Sequence, residues 1–418
     1  MIRRCRTRGR CGACGGLKLK KFLNLGTVAL AGAFRKPNIT SAEPHYRLEL
    51  GLCKQCTTVQ VLQCPPIGKI FHKKYRYLSS QIPALVGHFQ RFSFQIFQKT
   101  GLQPASTTIL EIGCNDGVFL RPLLARGAKK VVGIDPGPAL GFRHTRCFHH
   151  RVSFSRAKAG WLKRRYGQFD IVTASNVFSH LKNLRGAAEG VSQLLRPGGW
   201  FVCEVHPLFS VVRGFQYDMI YHEHLYYHTV RSLETLLSPG GLKIVDLEPV
   251  EMHAGSMRIW ARKKPFVLRP SNSLLRWRRR EKAAGLDKIS HLNRFAQRVA
   301  VHSLKLRNMA SWLARHEAPL AGFGASGRAN TLLQASGLGK KTIFALADDA
   351  RSKQRMISPG SHIPISSCAS VARCGPRSLI LLAWSYQRWI LPKIKRIFKT
   401  VEKILIPLPR IRVVRVVR

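Results

Sequence analysis

The chain has 418 residues, 45% of them hydrophobic, enough to fill two or three cores and too many for a disordered polypeptide. Its 70 Lys and Arg stand against 20 Asp and Glu, and this excess of +50 attracts anions and phosphate-bearing ligands. No apolar run approaches the roughly 18 residues that cross a bilayer, which argues against a membrane-spanning segment. The basic residues are spread along the whole chain, whereas Glu111, Asp116, Asp135, Asp170, Glu204, Glu223 and Asp348 fall within or beside the motifs below.

Two close cysteine pairs come first, Cys11-x-x-Cys14 and Cys53-x-x-Cys56. Each suits a tight knuckle, and together they can give four thiolates to one tetrahedral Zn2+, with residues 15–52 inserted as a hairpin or loop. Cys5 or Cys64 could replace one of these ligands. A closed four-thiolate site serves folding, so residues 1–68 are expected to form a small structural zinc domain in a reducing compartment. The basic stretch 1–10 is not followed by an apolar signal core, and the expected location is the cytoplasm.

Residues 69–265 alternate strand-like and helix-like patterns, the signature of a mostly parallel sheet. Ile109, Leu110 and Ile112 run into Gly113, Asn115, Asp116 and Gly117. Val118, Phe119, Leu120, Leu123 and Leu124 then continue at helical spacing, and a second apolar run at 131–134 ends on Asp135. Strand, glycine turn, helix and acid-terminated strand form a nucleoside-binding α/β unit. The glycines let the backbone approach a ligand, and Asp135 can accept hydrogen bonds from two ribose hydroxyls. Further strands are expected at 169–174, 200–205, 242–246 and 257–261, with a turn at 196–199.

Between 274 and 315, Leu292, Phe295, Val299, His302, Leu306 and Met309 recur in steps of three and four, which predicts an amphipathic helix leading into a third unit. This unit, 266–418, has a glycine-rich turn at 322–327. A predicted strand at 342–347 ends on Asp348 and Asp349, again a nucleotide-type α/β layer, and another strand is expected at 378–384. No repeat of fixed period is visible.

Residues 218–228 gather imidazoles, phenols and a carboxylate, including Tyr221-His222-Glu223-His224. The spacing does not fit the HExxH pattern of a helical zinc site. On a loop, Glu223 could hold His224 in one tautomer as a base, and Tyr221 could donate to a developing oxyanion. A hydrogen-bonded surface turn is the alternative.

The run Glu111-x-Gly113-x-Asn115-Asp116-Gly117 resembles the S-adenosylmethionine motif of class I methyltransferases. With the CxxC pairs, YRYLSS (75–80), ASNVFSHL (174–181), IYHEHLYY (220–227), GFGASGRANTLL (322–333) and SPGSHIPI (358–365), it makes an ordered set similar to the sugar C-methyltransferases of deoxysugar biosynthesis. The resemblance implies three α/β-type units: a zinc domain, a Rossmann-like class I methyltransferase domain and a C-terminal Rossmann-like domain. It further implies methylation of a carbon next to the ketone of a nucleotide-linked 4-keto sugar, a dTDP-sugar, lying between the last two domains.

By position, Glu111, Gly113, Asn115, Asp116, Gly117, Asp135 and Asn176 would hold the cofactor. His224 would be the base, with Tyr221, Glu223, His180 and Tyr75 around the keto sugar. Gly322, Gly324, Asn330 and His362 would bind substrate, and the implied protein is a monomer. The basic stretch 141–151 departs from the relatives, as do Ser326 and Arg328 where a small residue and lysine are expected. Charge alone offers a nucleic-acid methyltransferase as the alternative, but loop 175–180 lacks the paired prolines of the amino-methylating enzymes. A degenerate, non-catalytic S-adenosylmethionine-binding protein is the other.

Overall fold

The computed structural model describes residues 7–39, 41–66, 78–137, 140–266 and 269–416, without the side chain of His253. Three strands open the chain: β1 (Leu19–Ala29), β2 (His45–Cys53) and β3 (Val59–Val61), joined antiparallel. Their buried residues Leu23, Leu48, Leu50, Leu52, Val59 and Val61 form the inner face. A helix, Pro83–Thr100, then leads to the second sheet. Proline at its N-terminus and the left-handed Gly101 at its end set its limits.

The second sheet takes β4 (Thr108–Ile112), β5 (Lys130–Ile134), β6 (Cys147–His150), β7 (Phe169–Ser175) and β8 (Leu195–Val205) as parallel neighbours. The short β9 (Tyr226–Tyr227) leaves this sheet, and β10 (Leu242–Val250) and β11 (Ser256–Lys263) close it antiparallel. The order is β10-β11-β8-β7-β4-β5-β6, so the winding reverses between β4 and β7. Both faces of the central strands are covered, which is why β4, β5 and β7 read as nearly unbroken apolar runs. At one flank, buried Arg258 bonds Glu204 and Glu248, His88 joins Glu204, and the guanidinium lies 3.6 Å over the Phe92 ring.

The single helix expected between 274 and 315 is two helices, Asn272–Ala283 and Ile289–His316. Gly285, at φ 62°, breaks the pattern between them. The third sheet contains β12 (Leu320–Phe323), β13 (Leu346–Ala347), β14 (Met356–Ile357), β15 (Pro364–Ser366), β16 (Ser378–Leu381), β17 (Lys403–Ile406) and β18 (Arg412–Arg415). Its order, β14-β15-β13-β12-β16-β17-β18, reverses winding between β12 and β16. The strand expected at 342–347 is only two residues long, because Thr342 and Ile343 turn back onto Gly339.

The units are not beads on a string. β9 pairs with β3, so a segment of the second unit completes the four-stranded sheet of the first. One apolar cluster runs from Leu48 and Val59 through Leu208, Met219 and Ile220 to Phe323 and Leu346. Among the described residues no helix is long and apolar enough to cross a membrane.

Candidate active site

The first unit closes around sulfur. The Sγ atoms of Cys11, Cys14, Cys53 and Cys56 all lie within 4.8 Å of one another. Cys11 and Cys56 are 3.5 Å apart, and Cys14 and Cys53 3.6 Å. A tetrahedral ion with Zn–S bonds of about 2.3 Å separates its sulfurs by about 3.8 Å, so these four thiols fit Zn2+. The two knuckles repeat one another: Gly15 N–H donates to the Cys11 carbonyl and Thr57 N–H to the Cys53 carbonyl, each at 2.9 Å. Gly15 (φ 79°) and Thr57 (φ 62°) both turn left-handed there. Cys64 lies outside the cluster, and Cys5 lies outside the described residues.

The glycine turn after β4 sits at the winding reversal, where the crevice beyond the strand ends binds ligands in folds of this type. Gly113 has φ 76°, and a Cβ on it would come within 2.1 Å of Val177 Cγ2. Its N–H donates to the Ile134 carbonyl at 2.7 Å, tying the turn to the end of β5. Asp135 follows: its carboxylate accepts from Asn115 N–H at 3.0 Å and Gly137 N–H at 2.6 Å. Its own N–H donates to the His150 carbonyl at 3.1 Å.

Beneath the turn, Glu111 is buried and its Oε2 has no hydrogen-bond partner among the described residues. Burial first, and the charges of Asp135 and Asp116 next, push its carboxyl well above the usual range. Burial also raises Asp135. A cationic ligand relieves this strain, and S-adenosylmethionine carries both an ammonium and a sulfonium charge. The donor set therefore fits that cofactor.

Two residues expected on the cofactor turn their side chains elsewhere. Asn115 Oδ1 accepts from Ser79 N–H at 2.9 Å, and Asp116 Oδ2 accepts from Ser80 N–H at 3.2 Å and Ser80 Oγ–H at 2.5 Å. They hold the turn Ser79–Gln81 at the end of the YRYLSS stretch. Asn176, at φ 56°, donates its N–H to the Glu204 carbonyl beyond β7. Tyr75 lies outside the described residues.

Val177, which touches Gly113, begins the turn that carries His180. His180 and His224 ring centroids are 5.1 Å apart, and those of Tyr221 and His224 are 4.1 Å apart. A carbonyl only accepts, so the Met219 carbonyl at 2.8 Å places the proton of His224 on Nδ1 and its basic lone pair on Nε2. His180 Nδ1 likewise donates to the Glu223 carbonyl at 2.6 Å, and burial lowers its pKa, which keeps it neutral.

The bond that fixes the His224 tautomer goes to the Met219 carbonyl, where adjacent spacing had suggested Glu223. The Glu223 carboxyl points to the zinc domain, where Gly32 N–H donates to it at 3.0 Å, and burial raises its pKa to about 7. This contact crosses most of the second unit in sequence, and local spacing carries no sign of it.

The third domain meets this loop directly. A Cβ on Gly327 would lie 3.5 Å from Tyr221 Cε2. Arg328 grips buried Asp218 with two bonds, 2.8 and 3.1 Å, and Trp384 Nε1 donates to the same carboxylate at 2.8 Å. Arginine at 328 thus has a fork-shaped partner. Of the residues expected to bind substrate, Gly324 (φ 97°) ends β12 on the turn that reaches Tyr221, and Gly322 is within the strand. Asn330 is buried and donates to the Ala31 carbonyl at 2.7 Å; His362 Nε2 is 2.8 Å from Glu43 Oε2. Both contacts face the zinc domain.

Comparison with known proteins gives three successive matches along the chain. Family models for a zinc binding domain, a methyltransferase domain and a C-methyltransferase C-terminal domain match residues 11–71, 84–247 and 251–409. The chain is 27% identical over 407 residues to the C-methyltransferase NovU of Streptomyces niveus, covering 97% of this chain and 96% of that protein. It is 29% identical over 185 residues to a tRNA U34 carboxymethyltransferase of Cellvibrio japonicus (strain Ueda107), covering 40% of this chain and 56% of that protein. Among solved structures, magnesium protoporphyrin IX methyltransferase of Synechocystis PCC 6803 with bound SAM aligns at a TM-score of 0.32 and 16% identity, covering 43% and 82% of the two chains. Over nearly the whole chain, matches to a zinc binding domain, a methyltransferase domain and a C-methyltransferase C-terminal domain follow in this order, and the protein is an S-adenosylmethionine-dependent methyltransferase similar to the C-methyltransferases.

Proposed function

We propose that the acceptor is the carbon next to the ketone of a nucleotide-linked 4-keto deoxysugar, and that His224 removes its proton. The observation that carries this reading is the convergence of Tyr221, His180 and His224 between the cofactor turn and the third domain. A C–H beside a ketone becomes acidic enough for an imidazole base when donors stabilise the enolate oxygen. His224 Nε2 has the lone pair for that step, because the Met219 carbonyl holds the proton on Nδ1. The Tyr221 hydroxyl can donate a hydrogen bond and suits the developing oxyanion.

S-adenosylmethionine, held by the turn from Glu111 to Asp135, supplies an electrophilic methyl group. What remains for this chain is to align the two reactants, an effect that can supply much of the rate. The loop carrying His224 would shape the keto-sugar pocket, a role proposed for Tyr75 as well, and the domain limits proposed are 1–68, 69–265 and 266–418.

The test is to incubate purified protein with S-adenosylmethionine and a panel of dTDP-4-keto sugars and to follow gain of one methyl by mass spectrometry. A panel in which no sugar is methylated, beside a working relative, rejects the acceptor. His224→Asn should lower turnover by about 10²–10⁴-fold and abolish deuterium exchange at the acceptor carbon. Cofactor affinity should be unchanged. Exchange that survives the substitution removes His224 from the role of base.

A further inference from the structure

We infer that Arg328 is a positioning residue for His224: through Asp218, the third domain holds the carbonyl that fixes which nitrogen of the imidazole carries the proton. The inference rests on His224 being the base, as proposed above, and adds that this base is set from another domain.

The connection runs through one turn, Tyr217–Met219, in which each residue has a separate anchor. The Met219 carbonyl accepts from His224 Nδ1 at 2.8 Å and from the Tyr227 hydroxyl at 3.2 Å, which uses both of its lone pairs. Asp218, 1% exposed, accepts from the Arg328 fork and from the Trp384 indole. Tyr217 is buried, and its hydroxyl lies 3.1 Å from His302 Nδ1. Burial lowers the His302 pKa and keeps that ring neutral. Its proton sits on Nε2, which faces the Pro407 carbonyl at 2.9 Å, so Nδ1 accepts from the tyrosine.

These anchors come from three places in the third domain: the helix Ile289–His316, the start of the helix Gly327–Ala335, and the turn after β16. The turn's own unit supplies Met219 N–H to Gln216 and Ile220 N–H to Tyr217, each at 3.0 Å, and Gln216 Nε2 to the Ala254 carbonyl at 2.6 Å. Such bonds close the turn and tie its start. The side chains of Tyr217 and Asp218 hold its middle.

The transmission is short. Cα atoms of Asp218 and Met219 are about 3.8 Å apart across a planar peptide, so a displaced carboxylate carries the next carbonyl with it. The bond from His224 Nδ1 can lengthen by only about 0.4 Å before it leaves the range of N–H···O bonds. Once it is lost, the ring proton can move to Nε2, the atom that must be bare to take a proton from carbon. Arg328 itself is directed away from that chemistry. Its Nε and Nη2 are on Asp218, its Nη1 is 3.5 Å from Ser385 Oγ, and its guanidinium lies 5.0 Å from the Trp384 ring centre. The neighbouring Gly327 lies against Tyr221, whose ring is 4.1 Å from that of His224, so one short stretch of the third domain meets the loop twice.

The experiment is nitrogen NMR of the full zinc-loaded chain carrying histidine labelled at its ring nitrogens, with His224→Asn identifying the signal of the neutral His224 ring. Arg328→Lys keeps a charge beside Asp218 and loses the fork, and Asp218→Asn keeps one acceptor oxygen in place of two. Wild-type protein should show the proton on Nδ1, and both variants a mixture of the two tautomers. Deuterium exchange at the acceptor carbon should slow about tenfold to a hundredfold in both, with the sugar KM within about twofold of wild type. The wild-type tautomer retained in both variants overturns the inference. So does a raised KM with the tautomer unchanged, which would place Arg328 on the ligand. A mixed tautomer with exchange at the wild-type rate upholds the clamp and removes His224 from the role of base, so the two readings fail separately.

Discussion

The methyltransferase layer and the C-terminal layer solve the same backbone problem and then diverge in what their turns hold. Each follows a strand, β4 or β12, with a glycine turn whose main-chain N–H, from Asn115 or Ala325, donates to an acid at a strand end, Asp135 or Asp348. In the first, Asn115 and Asp116 reach back to Ser79 and Ser80, so the turn is fastened within its own domain. In the second, the corresponding turn is built from Ala325, Ser326 and Gly327, and the first long side chain, Arg328, crosses to Asp218 in the other domain. The difference teaches that the acid and glycine geometry is only a platform. Side chains next to it decide whether the platform is a private site or one wall of a shared cleft. The zinc domain is wedged at the same junction, with Gly32 on Glu223 and Ala31 on Asn330.

The largest effect should come from cutting that crossing. Arg328→Ala leaves Asp218, 1% exposed, as a buried charge facing the Trp384 indole, and removal of one partner of such a pair costs about 3–5 kcal/mol. Arg328→Lys should recover part of this, since an ammonium cannot make both bonds of the fork. Denaturant unfolding followed by tryptophan fluorescence measures both. An alanine variant as stable as the wild type would mean that the Arg328–Asp218 pair does not contribute to joining the two layers.

Much of one side of this comparison was readable in the amino-acid order, and less of the other. Gly113 and Asp135 stand out because their positions are tied to strand and helix periodicity, and the cysteine pairs because ligand spacing is local. The steps from Leu292 to Leu306 indicated the buried face of the long helix, while Gly285 divided the predicted element. What escaped was long-range. Pairing of β9 with β3, Glu223 with Gly32, and Arg328 with Asp218 joins segments far apart in the chain, and no periodicity records such a meeting. The Asp348 carboxylate, like that of Asp135, is held by main-chain amides, which any residue supplies, so only Gly324 and the acid itself left a trace.

A second effect probes the wedge. Burial holds Glu223 near a pKa of about 7, above its ordinary 4.5, so the folded state favours its neutral form. The stability this contributes is complete below about pH 4.5 and is lost as pH rises through 7. Glu223→Gln cannot ionise yet keeps an acceptor for Gly32 N–H. Its advantage over wild type should grow from nothing at low pH to about 3 kcal/mol above pH 7, at about 1.4 kcal/mol for each pH unit between the folded and unfolded values. Thermal unfolding of the pair from pH 4 to 8 reads this out, and a gap that does not change with pH would place the carboxyl in contact with water.

The smallest effect tests the likeness itself. Gly113 and Gly324 both lie at positive φ, 76° and 97°, so alanine at either is strained by about 1–3 kcal/mol. Their surroundings differ in kind. At 113 the new methyl meets Val177 Cγ2 at 2.1 Å, the end of a side chain that can turn or be trimmed; at 324 it meets Ala383 Cβ at 2.8 Å and the Ala383 backbone nitrogen at 3.1 Å. Val177→Ala should therefore restore part of what Gly113→Ala loses, whereas Ala383→Gly should restore little of what Gly324→Ala loses, because the nitrogen stays in place. Urea midpoints of the two single and two double variants decide this. Equal rescue at both sites would show that the two turns are alike in their surroundings as well as in their hydrogen bonds, and the distinction between a private turn and a shared wall would have to rest on Arg328 alone.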